Sequence, residues 1–206
     1  MTVVIQEEAL RVSGNAIDAS ATSSKGIRIF THAGGAHRDE FISCCILLAT
    51  YPVEGIYRCR DIIKTPDGQY IAIVENELIQ INVGRDIVVD IGGEYSPSRK
   101  LYDHHQDLNL PSSLLMILQH ELFFDINNLP KEIIFIDYAD KYGFTEAKRV
   151  LKADVGPAFV DSAILSVFSI RNIITQGDPL YEIMREMGIV FQAKLDSYAD
   201  TSYIAV

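Results

Sequence analysis

Histidine and acidic residues lie together at two places in this chain, and a further aspartate lies between them. The first cluster contains His32, His37 and Asp39, and the second is Asp103-His104-His105. Asp90 follows an apolar run between the two clusters. Imidazole and carboxylate groups together are the ligand set of a borderline divalent metal ion. The combination therefore predicts a metal-dependent hydrolase.

The segments around these residues predict an α/β fold. Residues 26–30 form a short β-rich run before His32, and residues 87–90 have the continuous apolar character of a buried parallel strand. Such strands alternate with helical segments along the chain, which is typical of α/β proteins. Ligands in these folds gather beyond the carboxyl ends of the strands, so we expect the three groups to meet at that edge.

The helices are less evenly determined by the sequence. Residues 39–50 have helical length and a continuous apolar body, and residues 114–124 follow a proline and two serines as a capped helix would. Residues 131–142 fit either a strand or a helix. Two further helical segments are predicted within residues 157–197, separated by the turn-forming sequence TQGDP at 175–179.

Composition limits the classes of protein that this chain can be. The chain has 206 residues, of which 48% are hydrophobic, and a net charge of −10 that opposes a broad nucleic-acid surface. No uncharged apolar run of about 18 residues is present, so we expect no membrane partner. The beginning of the chain lacks the pattern of a signal peptide. Three cysteines without CxxC spacing are expected to be buried thiols, which fits a cytoplasmic location.

Several motifs resemble those of one family. The sequence THAGGAHRDE at 31–40 resembles the TH-x-G-x-x-H-x-DE motif of the melanocyte-proliferating-gene (Myg) family, a branch of the DHH phosphoesterases. VDIGGEY at 89–95 and YDHHQ at 102–106 are similar to the family's VDVGG-x-Y and DHHQ motifs, in the same order and spacing. RCRD at 58–61 is similar to its RTRD segment, and Ser112-Ser113 also matches.

The resemblance implies a fold and a division of the chain. It implies a DHH-phosphoesterase-type α/β fold, in which a mainly parallel sheet is flanked by helices. Residues 1–25 are then an N-terminal strand and polar loop, and residues 26–155 are the metal-binding catalytic domain. Residues 156–206 are a short helical C-terminal extension or a truncated second domain, since members of the family are usually longer than this chain.

The resemblance also implies a set of metal ligands. Relatives of the family hold two divalent cations bridged by an aspartate, and Mn²⁺ is preferred over Mg²⁺ here because a second histidine enters the first cluster. The ligands carried over by motif are His32 and His37 on the first cation, Asp90 between the two, and Asp39 and His104 on the second. The last ligand is Asp137 or Asp140, with Asp137 slightly favoured.

Catalytic and substrate-binding roles follow from the same assignment. His105 should not bind the metal that His104 binds, because adjacent side chains in an extended loop point apart. His105 is therefore expected to contact the phosphate or protonate the leaving oxygen, and Asp103 to orient an imidazole. Arg38, Arg58 and Arg60 are candidate phosphate-binding residues.

The predicted activity is metal-dependent hydrolysis of a phosphate-containing substrate. The family resemblance implies 3′→5′ exonuclease action on RNA or short oligonucleotides, whereas the acidic composition favours a short or small substrate. A pyrophosphatase or nucleotide phosphatase with the same metals is the first alternative. A non-catalytic metal-stabilised binding or scaffold protein is the second. The oligomeric state is left open by the sequence, with a homo-oligomer among the options.

Overall fold

A computed structural model describes residues 26–152 and 160–201. The predicted N-terminal strand and polar loop at 1–25, and the domain boundary predicted near residue 155, lie outside the described residues. Within them the strands, in chain order, are β1 (Ile27–His32), β2 (Val53–Cys59), β3 (Asp61–Lys64), β4 (Tyr70–Val74), β5 (Glu77–Ile81), β6 (Ile87–Val89), β7 (Tyr95–Ser96), β8 (Leu101–Tyr102) and β9 (Ile173–Thr175).

The strands form two sheets. The larger sheet has the order β7-β8-β6-β1-β2-β9, and the smaller is the antiparallel series β3-β4-β5. The four central strands of the larger sheet, β8, β6, β1 and β2, run parallel to one another. At the two edges, β7 pairs antiparallel with β8, and β9 pairs antiparallel with β2. The carboxyl ends of four parallel strands therefore lie at one edge of this sheet.

The helices are α1 (Arg38–Thr50), α2 (Ser113–His120), α3 (Lys131–Tyr142), α4 (Phe144–Leu151), α5 (Ser162–Ser169) and α6 (Pro179–Thr201). Helix α1 connects β1 to the parallel strand β2, and its residues from Asp39 to Leu48 are all buried. It has no polar face because it lies between the sheet and other helices, as a helix that is hydrophobic all round must. Its most extensive helix contact is with α6.

Alternate side chains along the central strands divide the core into two layers. Ile29 and Ile87 face the helices, within a cluster that also contains much of α1 and α6. Phe30 and Val88, the next residue in each strand, face the smaller sheet. Because successive side chains of a strand point to opposite faces, the nearly continuous apolar runs in β1 and β6 are explained by burial on both faces.

The predicted fold class is confirmed as an α/β protein with a mostly parallel central sheet, flanking helices and a C-terminal helix. The ambiguous segment 131–142 is helical. The C-terminal segment differs from the sequence interpretation in one respect. Strand β9, three residues long, lies between the two predicted helices and pairs antiparallel with β2.

Within residues 26–152 and 160–201, none of the helices combines the length and the hydropathy that crossing a membrane requires.

Candidate metal centre

The candidate ligands meet because three neighbouring strands end at the same level. His32 is the last residue of β1, Asp90 directly follows β6, and Asp103 directly follows β8. The register pairs Thr31 with Val89 and Val89 with Tyr102, so the residues that follow lie side by side. This arrangement agrees with the expectation that the three groups of residues meet at the carboxyl edge of the sheet.

The loop after β6 aims Asp90 into the centre. Asp90 has a left-handed backbone conformation with φ of 61°, and Gly92 and Gly93 follow with φ of 102° and 65°. Aspartate tolerates this conformation better than most residues, and glycine adopts it at no steric cost. The Asp90 amide donates to the Tyr102 carbonyl at 2.9 Å, and the Ser113 hydroxyl donates to Asp90 Oδ1 at 2.8 Å. Backbone and side chain of Asp90 are therefore both held.

Three groups of ligand atoms share Asp90. The first group is His32, His37 and Asp90, the second is Asp39, Asp90, His104 and Asp140, and the third is Asp90, His104 and His105; within each group the ligand atoms all lie within 4.8 Å of one another. His104 Nε2 lies 2.9 Å from Asp140 Oδ2 and 3.2 Å from Asp90 Oδ1. His32 Nε2 lies 3.5 Å from Asp90 Oδ2. Such an arrangement can hold two cations on either side of one carboxylate.

Buried polar atoms without partners support a cation at this position. Both carboxylate oxygens of Asp39, Oδ2 of Asp90 and both ring nitrogens of His104 are buried and have no hydrogen-bond partner among the described residues. Burying such groups unpaired is costly, because the lost hydration is not replaced. The oxygen and nitrogen atoms approach one another without the alignment of a hydrogen bond, as ligands directed at a common ion do. The residues present therefore fit a divalent metal.

The electrostatics of the centre require positive charge. Burial raises the pKa of Asp39 well above its ordinary value, and the nearby carboxylates of Asp90 and Asp140 raise it further. Burial would also raise the pKa of Asp140, but contacts with His104 and His37 outweigh it and lower this pKa to about 2. Burial lowers the pKa of His104, yet Asp140 and Asp90 raise it to about 10. A divalent cation can replace these protonated imidazoles as the counter-charge.

Asp103 lies beside the ligand groups, and His105 belongs to the third of them. Asp103 accepts hydrogen bonds from the Gly93 amide at 2.6 Å and from the His105 amide at 3.1 Å. Asp103 Oδ1 also lies 2.6 Å from His105 Nδ1. The imidazole that Asp103 orients is therefore that of His105, whose side chain is 55% exposed. His105 thus lies within reach of an ion that His104 would bind, contrary to the expected separation of the two rings, and its role toward a substrate stays a prediction.

Helix α3 brings Asp140, and not Asp137, to the ligand groups. Asp137 Oδ1 accepts the Ser112 amide at 2.6 Å, and Oδ2 lies 2.9 Å from Lys141 Nζ. Asp140 contacts His104, and its Oδ1 lies 3.4 Å from His37 Nδ1. The slight preference for Asp137 in the sequence analysis therefore does not agree with the placement of the two side chains, which makes Asp140 the better candidate ligand.

We expect Asp140→Asn to weaken binding of one Mn²⁺ ion by at least about tenfold, since even partners of metal ligands contribute that much. The matched change Asp137→Asn should leave Mn²⁺ affinity unchanged and lower stability by about 1 kcal/mol, because the carboxylate that pairs with Lys141 is lost while the amide oxygen still accepts from Ser112. Isothermal titration with Mn²⁺ and thermal unfolding measure the two effects. Weaker Mn²⁺ binding in Asp137→Asn alone would reverse the assignment.

The three arginines predicted to bind phosphate lie in different surroundings. Arg58 is buried, and its guanidinium contacts Glu40 Oε1 at 3.1 Å. This buried ion pair does not agree with the predicted role of Arg58 as a direct phosphate contact, because a buried and paired guanidinium cannot reach a substrate. Arg38 is half-buried, with its guanidinium over the Phe144 ring. Arg60 is exposed and remains a candidate for contact with substrate.

Two residues near the centre receive no definite role from the sequence analysis. Glu40 is fully buried in the first turn of α1 and contacts His32, and Ser113 donates to Asp90. Glu40 directly follows Asp39 ahead of an apolar helix, which was a detectable signal for a buried acid. For Ser113 the sequence showed only a match to a family motif. Its contact with Asp90 could not be predicted, because that contact depends on how α2 packs.

Fold and site together define an α/β protein with a candidate metal centre at the carboxyl edge of a parallel sheet. Residues 28–109 match the family MYG1_exonuc, described as "Uncharacterised protein family (UPF0160)". Over 79 residues the chain is 43% identical to proteins named MYG1 exonuclease from Rattus norvegicus, Bos taurus and Homo sapiens. These matches confirm the predicted resemblance to the Myg family. No solved structure gives a significant match to this chain.

The match is limited to part of each protein. The aligned segment is 38% of this chain and 17% of the length of each of these relatives. The family match at residues 28–109 contains the clusters around His32, Asp90 and His104, while Asp140 and helices α2 to α6 lie beyond it.

Proposed function

We propose that this chain is a metal-dependent phosphohydrolase that acts through two divalent cations, Mn²⁺ in preference to Mg²⁺. The observation that carries the proposal is the set of three ligand groups that share Asp90. A carboxylate common to all of them matches the bridging position that the family resemblance implies. Several of their oxygen and nitrogen atoms are buried without a hydrogen-bond partner among the described residues, and bound cations would satisfy them.

The reaction we propose is hydrolysis of a phosphodiester. Bound cations would lower the pKa of a water molecule and neutralise charge on the phosphoryl oxygens. Asp90, fixed by Ser113 and by the Tyr102 carbonyl, keeps the ligand groups in register. The DHH phosphoesterase type of mechanism remains part of this proposal.

His105 is proposed as the residue that exchanges a proton with the leaving oxygen. Its Nδ1 contacts Asp103 and its side chain is 55% exposed, so we assign Nε2 to the substrate. A carboxylate at one imidazole nitrogen fixes the tautomer and makes the other nitrogen the site of proton transfer. Asp103 is therefore a positioning residue, and His105 is the proposed catalytic acid.

A nucleic-acid substrate is supported by the relatives, which are named exonucleases. The net charge of −10 favours RNA oligomers or dinucleotides over a long polymer, because few basic side chains are available for an extended phosphate backbone. Among the three candidate arginines, Arg60, which directly follows β2, is the proposed phosphate contact. The same charge argument favours the second candidate, a pyrophosphatase or nucleotide phosphatase with the same cations.

Hydrolysis assays with the full chain test the proposal. With Mn²⁺ present we expect turnover of bis-p-nitrophenyl phosphate, and loss of turnover when EDTA removes the metal. RNA oligomers, dinucleotides and pyrophosphate compared in one assay separate the exonuclease from the small-molecule enzymes. Tight Mn²⁺ binding with no turnover of any of these compounds would overturn the enzyme proposal in favour of a metal-stabilised binding protein.

A reducing, cytoplasmic location is part of the proposal. Cys44, Cys45 and Cys59 are buried free thiols. Burial raises the pKa of the Cys59 thiol to about 12, so this group stays protonated and unreactive.

A further inference from the structure

Glu40 points a buried carboxylate oxygen at the candidate metal centre. The residue has no exposed surface, and its Oε2 atom has no hydrogen-bond partner among residues 26–152 and 160–201. That oxygen lies against Nε2 of His32. The same nitrogen lies 3.5 Å from Asp90 Oδ2. Two carboxylate oxygens from different elements are thus directed at one imidazole nitrogen.

The orientation of the His32 ring indicates what should lie between these atoms. Its other nitrogen, Nδ1, lies 3.1 Å from the Ala33 carbonyl oxygen, which can only accept a hydrogen bond. Nδ1 therefore carries a hydrogen, and when the ring binds a metal it is Nε2 that offers its lone pair, on the side of Glu40 and Asp90. A lone pair and two carboxylates attract a common cation and repel one another without it.

Arg58 holds the other oxygen of Glu40 in place. One Arg58 Nη lies 3.1 Å from Glu40 Oε1 and 3.2 Å from the Gly34 carbonyl, and the other donates to the Phe168 carbonyl at 3.0 Å. The guanidinium also lies over the Phe168 ring, 4.4 Å from its centroid. With Oε1 committed to Arg58, the free oxygen is the one directed at His32.

We propose that Glu40 is a further carboxylate ligand of the cation on the His32 side, and that Arg58 anchors it. The inference rests on the proposed function, because it assumes that a cation binds there. Glu40 is not among the residues whose ligand atoms lie within 4.8 Å of one another, so it joins His32, His37 and Asp90 only if its free oxygen turns further toward them. This cation then receives two carboxylates, Glu40 and the shared Asp90, which balance a divalent charge.

Arg58 is itself held by a part of the chain outside the segment matched to the family. Phe168, whose carbonyl holds Arg58, lies in α5, beyond residues 28–109. The neighbouring Ser169 accepts the Ala36 amide at 2.9 Å, in the loop between His32 and His37. The end of α5 therefore supports the side of the centre to which Glu40 is assigned.

Mn²⁺ titration of the Glu40→Gln variant tests the assignment. The variant keeps the size of the side chain and an oxygen for Arg58 but loses the charge. We expect one of two Mn²⁺ ions to bind about 10–100-fold more weakly, while the other keeps its affinity. Glu54→Gln is the matched control, because Glu54 lies near the amino end of β2, away from the edge that carries the ligand groups. This variant should bind both ions as the unchanged chain does. Two ions bound by Glu40→Gln with unchanged affinity would overturn the assignment.

A second variant guards against a folding defect, because Arg58 would lose its buried counter-charge. Glu40→Gln combined with Arg58→Met removes both charges and replaces the guanidinium with an apolar side chain. If the double variant unfolds cooperatively and still loses one ion, the ligand assignment is supported. A crystal structure with Mn²⁺ should show Glu40 Oε2 at about 2.0–2.6 Å from the ion. An Oε2 atom that contacts only His32 would contradict it.

The two proposals fail in different ways. If the unchanged chain binds no Mn²⁺, the proposed function is wrong and Glu40 has no cation to bind. If the unchanged chain binds two ions and hydrolyses phosphodiesters while Glu40→Gln binds them equally well, only the assignment of Glu40 is wrong.

Discussion

The Asp90→Asn variant is expected to lose Mn²⁺-dependent phosphodiester hydrolysis by at least about 100-fold, the upper end for loss of a partner of a metal ligand. Asp90 is common to all three ligand groups, so its carboxylate is expected to contribute to both proposed cation positions. Loss of one negative charge should weaken both ions together, whereas Asp140→Asn should weaken one. Initial rates with bis-p-nitrophenyl phosphate and Mn²⁺ titration measure the two effects.

Asparagine is the appropriate replacement at this position. Residue 90 has φ of 61°, and asparagine adopts the left-handed region more readily than alanine does. Any loss of activity is then due to the missing charge, because the backbone remains as it is. The control is Asp107→Asn, an exposed loop residue that should leave the rate unchanged. An Asp90→Asn variant with an unchanged rate and two bound ions would remove the basis for the two-cation proposal.

The Gly188→Ala variant is expected to have the largest effect on stability. A Cβ atom at Gly188 would lie 1.9 Å from the Cys45 carbonyl oxygen and 3.0 Å from Ala49 Cβ. Helices α1 and α6 would have to separate, at a cost of about 3 kcal/mol for overpacking. The higher helix propensity of alanine offsets about 1 kcal/mol of this cost. The net loss of about 2 kcal/mol should lower Tm by about 4–8 °C.

Thermal unfolding followed by circular dichroism measures this change. Glu186→Ala, on the exposed side of the same helix, controls for helix propensity and should change stability by less than about 0.5 kcal/mol. Because α1 also carries Asp39 and Glu40, movement of this helix should weaken Mn²⁺ binding in Gly188→Ala as well. An unchanged Tm would show that α1 and α6 pack less closely than described.

The placement of most candidate ligands could be predicted because their positions follow from local rules. His32, Asp90 and Asp103 each lie at or directly after the end of a strand, and parallel neighbours bring such positions to one edge. The choice between Asp137 and Asp140 could not be predicted. Residues three apart on a helix lie near the same face, so the sequence leaves both directed the same way. The packing of α3 decides which carboxylate reaches His104.

The surroundings of Arg58 also depended on distant parts of the chain. An arginine near the end of a strand is usually exposed, and its position beside the motif suggested a phosphate contact. The carbonyl of Phe168, which follows 110 residues later, and the carboxylate of Glu40 enclose it instead. Strand β9 was missed for a similar reason, because three residues carry little periodic signal and their pairing with the edge of β2 is a long-range contact.

The sequence by itself determined which residue types are candidate ligands at the centre, and it determined the α/β class. Ligand types and their positions after apolar strands are local properties, and the central strands of an α/β sheet run parallel. Only the tertiary structure decided that Asp140 joins the ligand groups, that Arg58 is buried against Glu40, and that Asp103 holds His105. Each of these depends on helix packing or loop geometry, which place residues far apart in the chain within a few ångströms and leave no pattern in the local sequence.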